Sequence, residues 1–288
     1  MRLLASWRPR PHPWPVWVYM TAATFLAVGV TVNAPRTHLP LNISDLVMFL
    51  VLAVVVEVMA VRVPKLGAVS GTLAVQITAI AVILGREAII VMALAMVAAK
   101  LIRRQSIEGA LLNGVFACIE LAVALWVIRW AGVDNQFAYP DDLIDLFLAG
   151  GAKLVTNIIL VNAVIILNGQ ARLRDVWWNS LRSIPISYIT LMPIAVLMVI
   201  IYSSPVRMVG ILLFIIPLLF ARYSFLAYIE LRQSHLETVE ALAAALDAKD
   251  SYSKGHSDRV AELAKETAEV MGLRFGRVEE IEYAGRLH

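Results

Sequence analysis

The chain has 288 residues, 60% of them hydrophobic, with a net charge of +3. Soluble domains sit near about 45–50% apolar residues, so this composition excludes an ordinary soluble globule. A single cysteine, Cys118, excludes an intrachain disulfide and any cysteine-built metal centre, and inside an apolar run it reads as a packing residue.

The apolar excess lies between about Trp14 and Tyr223. Arg2, Arg8 and Arg10 precede the first run, as in a signal peptide, but the run from Val16 to Val32 exceeds a usual signal core and further runs follow. It therefore reads as a retained first span. Eight apolar segments follow in order: about 14–32, 43–61, 67–84, 87–102, 108–129, 142–167, 184–203 and 206–223. They are separated by turn-forming stretches such as Asn33-Ala34-Pro35, Gly85, Asn168-Gly169 and Ser203-Ser204-Pro205. Most approach the length a bilayer requires. The third and fourth are short and share a two- or three-residue turn, which leaves open a tilted hairpin and a count of seven or six.

Charge supports the eight-span reading. With a cytoplasmic N-terminus and alternating sides, the inner loops receive Arg2, Arg8, Arg10, Arg62, Lys65, Lys100, Arg103, Arg104, Arg172, Arg174, Arg182 and Arg222. The outer loops receive Arg36, Arg86, Arg129 and Arg207. That imbalance follows the positive-inside rule and predicts cytoplasmic N- and C-termini. Residues 1–223 carry a net +7 and residues 224–288 a net −4. Basic loops beside apolar runs suit a lipid bilayer better than a nucleic acid polymer, and no basic-aromatic pattern is present.

The eighth run continues without Pro or Gly from Phe220 to Ala248. Phe225, Val239 and Leu246 share one heptad register, and Ile229, Leu236 and Ala243 the other; Arg232 interrupts the first. Two readings stay open: a homodimer through the 225–246 helix, carrying motion from the membrane, or one amphipathic helix packed on its own domain.

Beyond it, Ser253 is a candidate N-cap, a helix reaches about Met271, and Gly272 suits the position past its end. The expected apolar stripe is Val260, Leu263, Ala264, Thr267 and Met271, with His256 on the same face. A further helix from about Val278 places His288 on the face of Ile281 and Ala284. Two inward histidines fit either satisfied core residues or a metal site.

From Leu236 onward the chain reads L-E-T-V-E-A-L-A-A-A-L-D-A-K-D-S-Y-S-K-G-H-S-D-R-V-A, and it closes on A-G-R-L-H. Asp250, Tyr252, Gly255, His256, Ser257, Arg259, Val260 and Ala261 resemble the opening of the HD-GYP and related HD metal-dependent phosphohydrolases; Ser253 stands where threonine is usual. The likeness covers about 53 residues. It implies an incomplete HD domain over 236–288, with His256 and His288 as metal ligands for divalent ions such as Fe or Mn. No complete catalytic set lies in these residues, so the fragment by itself is expected to be inactive. Arg259 reads either as a surface ion-pair residue or as a contact to substrate phosphate. The implied substrate is a cyclic dinucleotide, cyclic di-GMP. The upstream region, through Leu112-Asn113, Asn157, Asn162, Trp177 and Pro217 to Tyr223, resembles the membrane domains that precede such modules in bacteria.

The expected architecture is thus all-α: a polytopic transmembrane bundle of about eight spans (1–223), a connecting signalling helix (224–248) and the start of a cytosolic HD domain (236–288). Within the spans lie Glu57, Gln76, Glu120, Asp145, Lys153, Asn157 and Asn162. Ionisable groups there are costly, so a pocket or a pairing is expected. Lys153 could pair with Glu120 or Glu57, and an intramembrane ligand pocket and a structural ion pair remain equal alternatives. A receptor or transporter-like protein, with C-terminal helices serving interaction only, is the competing function; a dimerisation module is a third.

Overall fold

The structure is a computed structural model and describes residues 14–37, 42–63, 67–133, 137, 140–169, 173–249, 256–273 and 275–286. The chain divides into two compact units, Met1–Arg222 and Tyr223–His288.

The first unit is helical. Its elements are α1 (Trp14–Asn33), α2 (Ile43–Val58), α3 (Thr72–Ile83), α4 (Arg86–Ile102), α5 (Ile107–Trp130), α6 (Leu143–Leu167), α7 (Leu173–Ser203), α8 (Arg207–Leu212) and the start of α9 (Ile215–Lys249). Two three-residue strands, β1 (Val61–Val63) and β2 (Gly67–Val69), pair antiparallel between α2 and α3. They occupy ground expected to belong to the second and third apolar runs. The β-branched Val61, Val63 and Val69 favour extended backbone, and Gly67 and the preceding Pro64 disfavour helix.

Among the described residues, four helical stretches are long and apolar enough to cross a membrane: Trp14–Asn33, Ile107–Trp130, Leu143–Leu167 and Val209–Val239. Thr72–Ile83 and Tyr188–Tyr202 are apolar but shorter. α2 and α4 have 16 and 17 residues, roughly 24–26 Å of helix at 1.5 Å per residue.

Helix α3 forms the centre. Ten of its 12 residues are buried, as a helix apolar on every face must be. It touches α2, α4, α5, α6 and α7. Ile77, Ile80, Ile83, Leu121, Leu125 and Met192 join one continuous core around it. Helix α1 packs on α5, where Ala23, Ala27, Phe116, Ile119 and Leu160 form a second cluster. Its other side exposes Trp17, Phe25 and Leu26, as a lipid-facing surface would.

Helix α7 starts 11 residues earlier than the apolar run at 184 predicts. Hydropathy marks where a segment is apolar, whereas helix extends as long as backbone bonds are satisfied, and residues 173–183 include neither Pro nor Gly.

The second unit holds the rest of α9, then α10 (His256–Val270) and α11 (Phe275–Arg286). α10 and α11 pack together, and Gly272, at φ +70°, ends α10. The expected stripe on α10 is corrected. Ala261 and Ala268 are buried and Val260 and Ala264 half-buried, whereas Leu263, Thr267 and Met271 are exposed. Small residues let the two backbones approach: a Cβ on Gly285 would lie 2.7 Å from Ala261 Cα. Close approach selects alanines for the contact face and turns the bulkier leucine and methionine outward. The candidate cap Ser253 lies outside the described residues.

Candidate functional site

Three buried polar clusters stand out in the first unit. The first lies near the middle of α5 and α6. Lys153 Nζ donates to Glu120 Oε2 at 2.8 Å, and Asn157 Nδ2 donates to Glu120 Oε1 at 2.6 Å. Lys153 and Asn157 are four residues apart on α6, so they share a face and grip both carboxylate oxygens. Both charged side chains are more than nine-tenths buried. One ion in hydrocarbon is expensive, and a paired, hydrogen-bonded one is the arrangement a bundle interior tolerates. Close by, Tyr19 Oη donates to Leu160 O at 3.1 Å and its ring meets Phe116 edge-on, tying α1 to the same region.

The second cluster gathers at the C-terminal ends of α2 and α4. Glu57 accepts from Lys100 Nζ at 2.6 Å, Thr72 Oγ1 at 2.7 Å and Ser70 Oγ at 2.8 Å. Arg103 Nη1 donates to the backbone oxygen of Glu57 at 3.0 Å. One carboxylate thereby fastens α2, α4, the segment after β2 and the start of α3.

The third cluster lies at the opposite end of α2. Asp45 is buried in the first turn, where the helix N-terminus favours negative charge. It accepts a 2.7 Å bond from Tyr202 Oη. Arg207 lies over the Tyr202 ring, 5.4 Å from its centroid. The same end of the bundle is closed by Arg129 Nη2 on Leu84 O at 2.6 Å and Arg86 N on Pro35 O at 2.8 Å.

Of the residues singled out from sequence, Glu120, Lys153 and Asn157 come together, and Glu57 stands apart with Lys100. Gln76 and Asn162 are buried in α3 and α6, and Asp145 is half-buried near the start of α6. Sequence reasoning placed Lys100 in a loop and passed over Asp45, Ser70, Thr72 and Tyr202. The available signal was position: Lys100 sits between Ala99 and Leu101 inside an apolar run, and Asp45 interrupts another.

In the second unit, Arg259 is exposed on α10. His256 begins α10, but its side chain lies outside the described residues, as does all of His288. Among the described residues no group of three or more His, Cys, Asp or Glu could hold a metal ion.

A family model of membrane-associated sensory domains, MASE9, matches residues 29–229, which is most of the first unit and the start of α9. The chain belongs to the MASE9 family. No curated protein and no solved structure matched it. The MASE9 region holds all three polar clusters and ends seven residues beyond the boundary between the two units. A lipid bilayer is therefore the environment of this chain, and its buried charges are charges inside a membrane domain.

Proposed function

We propose that this chain is the MASE9 sensory part of a bacterial inner-membrane signalling protein whose C-terminal segment opens an HD-type phosphohydrolase domain acting on a cyclic dinucleotide, cyclic di-GMP. The observation that carries this reading is the string from Asp250 to Ala261 together with Leu287-His288. In this reading the bundle crosses the bilayer about eight times, with both termini cytoplasmic. The polar clusters support that alternation. Glu57, Ser70, Lys100 and Arg103 meet at one end of the helices; Pro35, Leu84, Arg86 and Arg129 meet at the other.

His256 and His288 would hold divalent metal through neutral imidazole nitrogens. When bound, a metal pair supplies an acidified water and a clamp for the attacked phosphate. Arg259, exposed one turn along α10, is available to substrate phosphate. Helix α9, 35 residues without a break, is the connection between sensing and hydrolysis. The heptad spacing of Phe225, Val239 and Leu246, and of Ile229, Leu236 and Ala243, is what supports a homodimer through the 225–246 stretch.

The test is cyclic di-GMP hydrolysis by the complete gene product containing these 288 residues, purified with Mn²⁺ or Fe²⁺. Hydrolysis is expected, with loss to background in His256→Ala and His288→Ala. A folded, metal-loaded protein inert toward every cyclic dinucleotide overturns the reading.

One observation favours a second reading, a receptor or transporter-like protein: Glu120 and Lys153 are ionisable groups buried inside a membrane domain, and such groups commonly mark solute or ion sites. Solute uptake by reconstituted vesicles, lost in Glu120→Gln and indifferent to His256→Ala, would select it.

A further inference from the structure

The chain passes from the first unit to the second inside α9, and α9 is reached only through a corner. Helix α7 ends at Ser203, Ser204–Val206 turn, and α8 runs from Arg207 to Leu212. Four observations converge there. Tyr202 Oη donates to Asp45 Oδ2 at 2.7 Å, joining the last turn of α7 to the first turn of α2. The Tyr202 ring also packs on Phe49 of α2, with centroids 5.9 Å apart. Arg207 covers that ring while holding φ at +35°, a backbone region that L side chains disfavour. Helix α8 packs on α7, where a Cβ on Gly210 would meet the Ile201 side chain.

We propose that Asp45, Tyr202 and Arg207 form a conformational latch that sets the direction in which α8 delivers the chain into α9. The strained residue is the one whose guanidinium rests on the latched ring. If Tyr202 leaves Asp45, that seat is lost, the backbone at Arg207 relaxes toward ordinary φ, and α8 takes a different exit from α7. Movement of α2 relative to α7, from whatever cause, is thereby converted into a change at the entrance to α9. The device is independent of the chemistry performed by the second unit.

The test uses the 1–288 chain in lipid nanodiscs with Cys118→Ala, so that two introduced cysteines alone carry spin labels. Val51 on α2 and Phe220 on α9 are both exposed and both within the first unit. Labels there should give one narrow distance distribution in the parent and a shifted or broadened one in Tyr202→Phe, which removes only the hydroxyl. Amide exchange of 204–212 should rise about tenfold in Tyr202→Phe, the scale of one hydrogen bond to a charged group, while α4 and α5 are unchanged. Asp45→Asn still offers an oxygen to the hydroxyl and should stay within about threefold of the parent. An unchanged distance distribution in Tyr202→Phe overturns the proposal. So does faster exchange spread equally over α4 and α5, because that reports general loosening rather than a latch.

Discussion

Lys153 on α6 and Glu120 on α5 meet at 2.8 Å near the middle of both helices, and Asn157 occupies the second carboxylate oxygen. The three form a closed arrangement: every carboxylate oxygen has a donor, and both charges are more than nine-tenths buried. Such an arrangement fixes how α5 and α6 face one another, because sliding either helix by one turn would strand an ion in hydrocarbon.

Removing one member should therefore cost more than removing both. Lys153→Met leaves a buried carboxylate with only an amide partner and should destabilise the first unit by roughly 3–5 kcal/mol. Lys153→Met combined with Glu120→Leu should recover a large part of that loss. Unfolding of the purified protein in mild detergent, titrated with denaturing surfactant, measures both. A double variant as unstable as the lysine variant would show that the pair is held for something other than packing.

The Glu57 cluster makes a local prediction. Glu57→Ala deprives Lys100, Ser70 and Thr72 of their shared acceptor and should loosen the β1–β2 segment first. Limited proteolysis between residues 61 and 71 should accelerate several-fold in Glu57→Ala, since local opening controls cleavage. Glu120→Ala should leave that region's cleavage rate near the parent's. Equal acceleration in both variants would mean that the two clusters are not separate supports.

In the second unit, Gly285→Ala would place a methyl 2.7 Å from Ala261 Cα and 3.0 Å from its backbone nitrogen. Backbone cannot rotate away, so α10 and α11 must separate, at a cost of about 1–3 kcal/mol. Amide exchange across α10 should quicken while α3 and α5 keep their protection. Adding Ala261→Gly should fail to restore protection, because the nearest clashing atoms are main-chain. Full rescue would place the contact on the Ala261 methyl instead.

Metal content offers a direct check on the proposed hydrolase segment. The 288 residues supply His256 and His288 of the implied ligand set, and two imidazoles alone hold iron or manganese weakly. Elemental analysis of the purified 1–288 chain should find far less than one metal per chain. A tightly held stoichiometric metal ion would contradict the assignment.

Much of the first unit was legible in sequence because a bilayer imposes a crude filter. A helix there must be apolar over a fixed length, and the observed α1, α4, α5 and α6 agree within a residue or two with the apolar runs at 14–32, 87–102, 108–129 and 142–167. The cost of intramembrane charge likewise marked Glu120, Lys153 and Asn157 before any geometry was known. Hydropathy says nothing, however, about which polar groups meet. Only the packing of α2 beside α4 brings Glu57 to Lys100, and only the return of α7 to the start of α2 brings Tyr202 to Asp45. It also missed β1–β2, because Val and Gly-Ala-Val are as apolar in strands as in helices, and it put Leu263, Thr267 and Met271 on the buried face of α10, because side-chain size at a close contact overrides hydrophobicity. Composition and periodicity therefore marked which segments are apolar helices and which residues are costly among them. Tertiary structure alone decided their partners, since partnership depends on contacts between segments as many as 157 residues apart, and no local pattern encodes that distance.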